Sequence, residues 1–210
     1  MRILALALIA VLSDTAAAQV IDERVDPLKN AYFGINIGQS DYRWRNPRPG
    51  LSEKLCELSG LLSCRDDPIG WKLTAGYMIW RFLGIEAVAY SMGDARIKFD
   101  GGGGAIVEQT IRVEGYGLSA VGVAQFGPVS VSARAGYAAS TGTRNDDIES
   151  LGVSERSEKS RAEPIFGAGV AFNVWRGLVV RLDWDRARAR TAVGEKFQAD
   201  LYSAGVGWQF

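Results

Sequence analysis

The sequence has no histidine among its 210 residues. Histidine is the side chain that most often serves as a general base, and nucleophilic triads depend on one. We therefore predict that the protein is not an enzyme and has no catalytic residues. The carboxylates of Asp183 and Asp185 could serve acid–base chemistry, but Arg181 and Arg186 share their predicted strand, which favours ion pairing.

An excess of one charge is also lacking, because 24 Lys and Arg residues balance 24 Asp and Glu residues. No global field favours nucleic acid, so we predict no nucleic-acid partner. The glycine run "DGGGGA" is not followed by the Lys-Ser/Thr pair of a phosphate-binding loop. We therefore predict no cofactor.

Long hydrophobic runs are missing as well. The apolar run Ile3–Leu12 is shorter than the roughly 20 residues of a membrane-spanning helix. It follows one positive charge and precedes small residues up to Ala18, which is typical of a secretory signal peptide. An uncleaved anchor is the alternative. We predict a signal peptide over 1–18, a polar leader over 19–30 and one domain over 31–210, since no linker divides the chain.

Cysteine is scarce, with two residues, Cys56 and Cys64, in the stretch "CELSGLLSC". In an exported protein this pair favours a local disulfide, because oxidising compartments allow thiols to pair. A metal site is the alternative, but the CxxC spacing and any histidine ligand are absent. We predict no metal ion.

The sequence is rich in alternating apolar and polar residues, which predict β-strands. The chain ends in "LYSAGVGWQF", where every second residue back from Phe210 is apolar or aromatic, namely Trp208, Val206, Ala204 and Tyr202. Short turns near Arg81, Gly127 and Arg176 alternate with long connections, including a polar loop from Thr141 to Arg161. This layout predicts an all-β fold, a closed antiparallel transmembrane barrel of about eight strands with short periplasmic turns and longer extracellular loops.

The alternation also separates two faces. We predict that the apolar face meets lipid and that aromatic girdles flank it, with Tyr42 and Tyr90 in the outer girdle. The polar face would then carry a lumen charge network, because buried charges need partners. Its predicted members are Lys72, Glu86, Arg134, Arg181 and Asp183. A soluble, lipocalin-like barrel with the faces reversed is the alternative.

Several stretches together resemble the OmpA-like, opacity-porin group of small outer-membrane β-barrels. They are "YFGINIGQSDYRW", "WKLTAGYMIWRFLGIEAVAYSMGDA", "YGLSAVGVAQFGPVSVSARAGYA", "FGAGVAFNVWRGLVVRLDWDRAR" and "SAGVGWQF". The resemblance implies a location in the outer membrane of a Gram-negative bacterium. It also implies a C-terminal signal for the barrel assembly machinery, with the lipid-facing residues Tyr202, Val206, Trp208 and Phe210. The chain ends at the barrel, so a peptidoglycan-binding domain is not implied.

The stretch "DWDRARAR" places Arg186, Arg188 and Arg190 on the same strand face as Trp184. Arginine binds phosphate through charge-assisted contacts, so we predict that these residues contact lipopolysaccharide. Pairing with nearby acids is the alternative. We expect a monomer with a structural or surface-interaction role in envelope integrity or adhesion, including a host or cell-surface ligand bound through the loops. A narrow channel for small solutes or ions is the second expectation.

Overall fold

The computed structural model of the chain describes residues 30–45, 52–54, 56, 61–100, 106–148, 153–190 and 196–210. The predicted signal peptide and the leader up to residue 29 lie outside the described residues. Ten β-strands are present in this part of the chain: β1 Ala31–Arg45, β2 Ser52–Lys54, β3 Leu61–Arg65, β4 Ile69–Trp80, β5 Leu83–Asp100, β6 Ile106–Phe126, β7 Val129–Ile148, β8 Val153–Trp175, β9 Leu178–Arg190 and β10 Lys196–Gln209. The described residues contain no helix long and apolar enough to cross a membrane.

Eight of these strands form a closed antiparallel ring. The order is β1, β4, β5, β6, β7, β8, β9 and β10, and β10 returns to pair with β1. The closing pair is long, running from Tyr32 opposite Gln209 to Arg45 opposite Lys196. Closure leaves the ring without a free edge at this seam. The predicted all-β barrel of about eight strands is therefore confirmed.

Tight turns join the strands at one end of the barrel. Two residues, Gly127 and Pro128, lie between β6 and β7, and Arg176 and Gly177 lie between β8 and β9. Gly127 has a φ of 60° and Gly177 a φ of 93°. These values fall in the left-handed region that glycine adopts without steric cost. The glycines therefore allow the chain to reverse within two residues.

The outward face of the barrel is apolar near the tight turns, and the inward face is polar. Ile35 is 54% exposed on the outside, whereas its neighbour Asn36 is 1% exposed on the inside. The same alternation holds on β4, where Leu73 is exposed and Lys72 is buried. This arrangement is the reverse of a soluble barrel, which buries its apolar face. The lipocalin-like alternative is therefore wrong.

The interior has a second, apolar layer farther from the tight turns. Its buried members include Tyr42, Tyr90, Met92, Ile111, Phe197 and Leu201, and we call the full cluster the apolar layer. Our prediction that Tyr42 and Tyr90 lie in an outer aromatic girdle is wrong, because both rings point inward and are buried. Both hydroxyls are hydrogen-bonded there, that of Tyr42 to the carbonyl of Gly93 at 2.7 Å and that of Tyr90 to Ser140 at 2.6 Å.

Four strands continue well beyond the level at which the ring ends. β8 pairs with β9 up to Phe166, which lies opposite Arg186, and the pairing of these two strands ends there. β8 then continues against β7 alone to Val153. We call the far parts of β5, β6, β7 and β8, together with β3, the extension. The predicted loop from Thr141 to Arg161 is wrong, because most of it belongs to strands of this extension.

A disulfide joins Cys56 to Cys64 and thereby links β2 with β3. β2 pairs with the far end of β1, and β3 pairs with the far part of β5. β4, which separates β1 from β5 lower in the barrel, begins only at Ile69. The bridge therefore ties together two strands that lie above the start of β4, and Cys64 packs against the apolar layer.

Candidate functional site

The polar layer of the interior is organised around the carboxylate of Asp183 on β9. Its Oδ2 accepts hydrogen bonds from Lys72 Nζ at 2.9 Å and from Asn36 Nδ2 at 3.0 Å. Its Oδ1 accepts one from Arg134 Nη2 at 2.8 Å, and Arg181 Nη2 lies 3.2 Å from Oδ2. Asp183 thus compensates three cations from three different strands.

Two further acids complete this network, which we call the ion-pair layer. Glu86 Oε1 accepts a hydrogen bond from Arg134 Nη1 at 3.0 Å, and Glu86 Oε2 accepts one from the Tyr32 hydroxyl at 3.0 Å. Asp185 lies 3.4 Å from Arg134 Nε and bonds Lys72 directly. All these groups project into the interior from the inward positions of their strands.

The structure thus brings together the five residues predicted for the lumen: Lys72, Glu86, Arg134, Arg181 and Asp183. The network predicted from the sequence does not include Tyr32 or Asp185. The signal for Asp185 was available, because it lies two residues beyond Asp183 and therefore on the same face. The sequence gives no comparable signal for Tyr32. A tyrosine at the start of β1 could equally well point into the lumen or lie at the turn end of the barrel.

The arginines of β9 lie on the outward face above Trp184. Arg186 binds the buried carboxylate of Asp200 through two hydrogen bonds, of 2.7 and 3.0 Å, and its guanidinium lies 5.0 Å from the Trp184 ring centroid. Arg190 Nε lies 2.7 Å from Glu163 Oε1. Within the described residues, the Nε of Arg188 has no hydrogen-bond partner. Two of the three arginines are therefore held by acids.

The C-terminal strand presents its aromatic and aliphatic residues outward. Tyr202, Val206 and Phe210 are exposed, and the ring of Phe210 lies 6.2 Å from that of Phe33 on the neighbouring strand. Trp208 is half-buried opposite Phe33. These residues form one side of the apolar outer wall at the tight-turn end.

The extension carries charge of both signs on its surface. On β5 and β6, Asp94 accepts a hydrogen bond of 2.7 Å from Arg112 Nη2. This contact with the Arg112 guanidinium lowers the pKa of the Asp94 carboxyl below its ordinary value. On β8, Arg156 Nη2 lies 2.8 Å from Glu158 Oε2, and both side chains are exposed. Such exposed pairs contribute little stability and leave the charges open to a partner.

A comparison with protein families matches residues 4–210 to the outer membrane protein β-barrel domain. The chain belongs to this family. Its location is accordingly the outer membrane of a Gram-negative bacterium, and the apolar outer wall of the barrel faces lipid. No curated protein matches the chain in sequence.

Solved structures of other outer-membrane proteins share the fold of this chain. The attachment invasion locus protein Ail of Yersinia pestis, solved with the heparin analogue sucrose octasulfate, is 17% identical, with a TM-score of 0.51; the match covers 85% of this chain and 99% of Ail. Neisserial surface protein A is 15% identical, with a TM-score of 0.52, and the match covers 86% of this chain and 97% of that protein. At these identities the likeness shows the fold alone.

Proposed function

We propose that the protein is a non-catalytic, non-conducting barrel that holds the extension above the outer membrane as a surface for interaction with other molecules. The observation that carries this proposal is the ion-pair layer. Lys72, Glu86, Arg134 and Asp183 meet across the interior with at most 3% of any side chain exposed. In an eight-stranded barrel, side chains of this size are enough to fill the lumen.

Conductance in a planar lipid bilayer tests the closed lumen. We expect the refolded chain from Gln19 to Phe210 to be silent, because the ion-pair layer blocks the path of ions. A variant with Lys72→Ala and Arg134→Ala should give small discrete steps, since two long side chains leave the same cross-section. Gel mobility before and after boiling in detergent confirms that both proteins are folded. Discrete steps from the unaltered protein would contradict a closed barrel.

A narrow channel is the second candidate, and one observation favours it. Within the described residues, the buried Oδ1 of Asn36 and Oγ of Ser203 have no hydrogen-bond partner. Buried polar atoms without a protein partner are commonly satisfied by water. Water beside Asp183 would provide part of a polar path, and the same conductance measurement decides between the two candidates.

The extension supports the interaction role by its reach. From Phe166 to Val153, β8 extends roughly 30 Å beyond the ring, given a rise of about 3.3 Å per residue and the usual strand tilt. Its exposed surface carries both charges, which suits recognition of a cell-surface or host ligand. Within its own membrane the barrel is a monomer.

The row of arginines on β9 binds lipopolysaccharide phosphates in this proposal. Support comes from its position directly above Trp184 on the outward face of β9, where the Arg186 guanidinium lies over the Trp184 ring. Replacing Arg186, Arg188 and Arg190 together by glutamine should weaken lipopolysaccharide binding, measured by co-purification or a gel shift. The matched control replaces Arg96, Arg112 and Arg156 of the extension by glutamine. Equal binding by the two variants would contradict a specific site.

The signal peptide and the assembly signal are also part of this proposal, because outer-membrane barrels are exported and then assembled into the membrane. Residues 1–18 form the cleaved signal peptide and 19–30 the leader that precedes the barrel domain over 31–210. The outward row that ends at Phe210 is the signal for the barrel assembly machinery. Its exposure on the last strand, beside the seam with β1, supports this role.

A further inference from the structure

One edge of the extension is open where β8 continues beyond β9. The registered pairs of β8 and β9 end at Phe166 and Arg186, and β9 itself ends at Arg190. From Val153 to Arg161, the described residues provide β8 with a partner strand on the β7 side alone. An open strand edge presents backbone N–H and C=O groups that can pair with another strand.

The charges on this edge form a self-complementary series. The residues from Glu155 to Lys159 read Glu-Arg-Ser-Glu-Lys. If a second copy of β8 runs antiparallel about a two-fold axis at Ser157, Glu155 faces Lys159 and Arg156 faces Glu158, and the axis repeats both pairs. Opposite charges directly across an antiparallel pair are favourable. Every charged residue of the series then has a partner of opposite sign.

Other alignments of the same two strands are unfavourable. A shift by one residue in one direction places Glu155 opposite Glu158, and a shift in the other places Arg156 opposite Lys159. Parallel pairing in register places each charge opposite itself. Like charges directly across a strand pair are destabilising. Charged edge residues normally prevent strand pairing, but this series excludes the wrong registers and permits one.

The middle of the series is suited to a two-fold axis. Ser157 is small and uncharged, so two copies can approach closely at the axis. Within the described residues its Oγ has no hydrogen-bond partner, although the atom is buried. The flanking Arg156 and Glu158 side chains are 66% and 50% exposed. They are therefore free to exchange their contact within one strand for contacts across the axis.

We propose that two copies of the protein pair through β8 in antiparallel fashion about Ser157, joining their extensions into one continuous sheet. Antiparallel pairing reverses the direction of the second barrel, so the two copies lie in membranes that face each other. Ser157 lies roughly 20 to 25 Å beyond the level of Phe166 along the membrane normal. The paired copies would hold the two membrane surfaces roughly 45 Å apart.

This pairing rests on the proposed role of the extension as an interaction surface, and it supplies the partner. An isologous contact of this kind needs no second protein, since one surface serves both copies. The expected activity is the clustering of membranes that carry the protein. Long surface polysaccharide would keep such membranes apart, so the test uses vesicles without lipopolysaccharide.

The test compares two charge variants, alone and mixed, in phosphatidylcholine vesicles. One variant carries Glu155→Lys and Glu158→Arg, and the other carries Arg156→Glu and Lys159→Glu. Each series alone places like charges across the axis, whereas the two series together are complementary. We expect clustering of vesicles with the unaltered protein, loss of clustering with either variant alone, and recovery when the two vesicle populations are mixed. Dynamic light scattering measures the clustering, and two-colour fluorescence measures the pairing of vesicles from the two populations.

A control variant with Arg96→Glu and Lys98→Glu makes the same change of charge on β5 as Arg156→Glu with Lys159→Glu makes on β8, and it should cluster normally. Gel mobility before and after boiling confirms that each variant is folded. Clustering by either charge variant alone, or no recovery on mixing, would overturn the pairing. The bilayer conductance is independent of this result. Dispersed vesicles with a silent barrel overturn the pairing alone, whereas clustered vesicles with a conducting barrel overturn the closed lumen alone.

Discussion

Replacing Asp183 by leucine is expected to lower the free energy of unfolding by about 3–5 kcal/mol, because the change leaves buried cations without their shared partner. Asp183 accepts hydrogen bonds from Lys72 and Arg134 and lies within ion-pair distance of Arg181. Asp185 and Glu86 would still contact two of these cations. The measurement is urea unfolding of the refolded barrel in lipid vesicles, followed by tryptophan fluorescence.

Two further variants make this result specific to charge. Ser203→Ala alters another buried inward position of the barrel and should cost less than about 1 kcal/mol, since it removes one neutral hydroxyl. Adding Lys72→Met to Asp183→Leu should restore part of the lost stability, because it removes one of the unpaired cations. Equal losses from Asp183→Leu and Ser203→Ala would show that Asp183 does not hold the ion-pair layer together.

Replacing Ile35 by arginine is expected to cost about 2–4 kcal/mol in a bilayer, because the new charge would lie in hydrocarbon. Ile35 is exposed in the middle of the apolar stretch of β1, between Leu73 on one side and Val206 on the other. The same unfolding experiment measures the loss.

The matched control is Ile69→Arg at the outer end of β4. Ile69 is more exposed than Ile35, at 67% against 54%, but it begins its strand opposite Gln39, where the outward face turns polar. There the same arginine should cost only about 0–1 kcal/mol, since the penalty falls toward the interface. Equal costs at the two positions would contradict the proposed depth of the barrel in the membrane.

The sequence predicted the barrel and the inward residues well because period-two alternation is unambiguous where lipid covers one face. On β9, for example, Arg181 and Asp183 alternate with Val180 and Leu182. The direction of each side chain then follows from strand geometry alone. Which acid meets which cation depends on the register between strands, and a single sequence does not specify that register.

The extension was not predictable in the same way. From Glu155 to Arg161, every residue of β8 except the half-buried Ser157 is exposed, so no apolar stripe marks this part as a strand. Its polar composition is that of a solvated loop. The apolar layer was missed for a related reason. Tyr42 and Tyr90 occur where aromatic girdles are expected, and composition alone does not distinguish an inward from an outward ring at that level.

The change from the ion-pair layer to the apolar layer is visible in the sequence of a single strand. Along β9 the outward residues change from Val180 and Leu182 to Arg186 and Arg188, while the inward residues change from charged to Ala187 and Ala189. The hydropathy alternation thus inverts its phase partway along one unbroken strand. The inversion occurs where the surroundings of the barrel change from hydrocarbon to water. Within the membrane the apolar side chains face outward into lipid, and above it they face inward, so that at both levels they are kept away from water. The point of inversion on β9 therefore records the height of the membrane surface in the sequence itself.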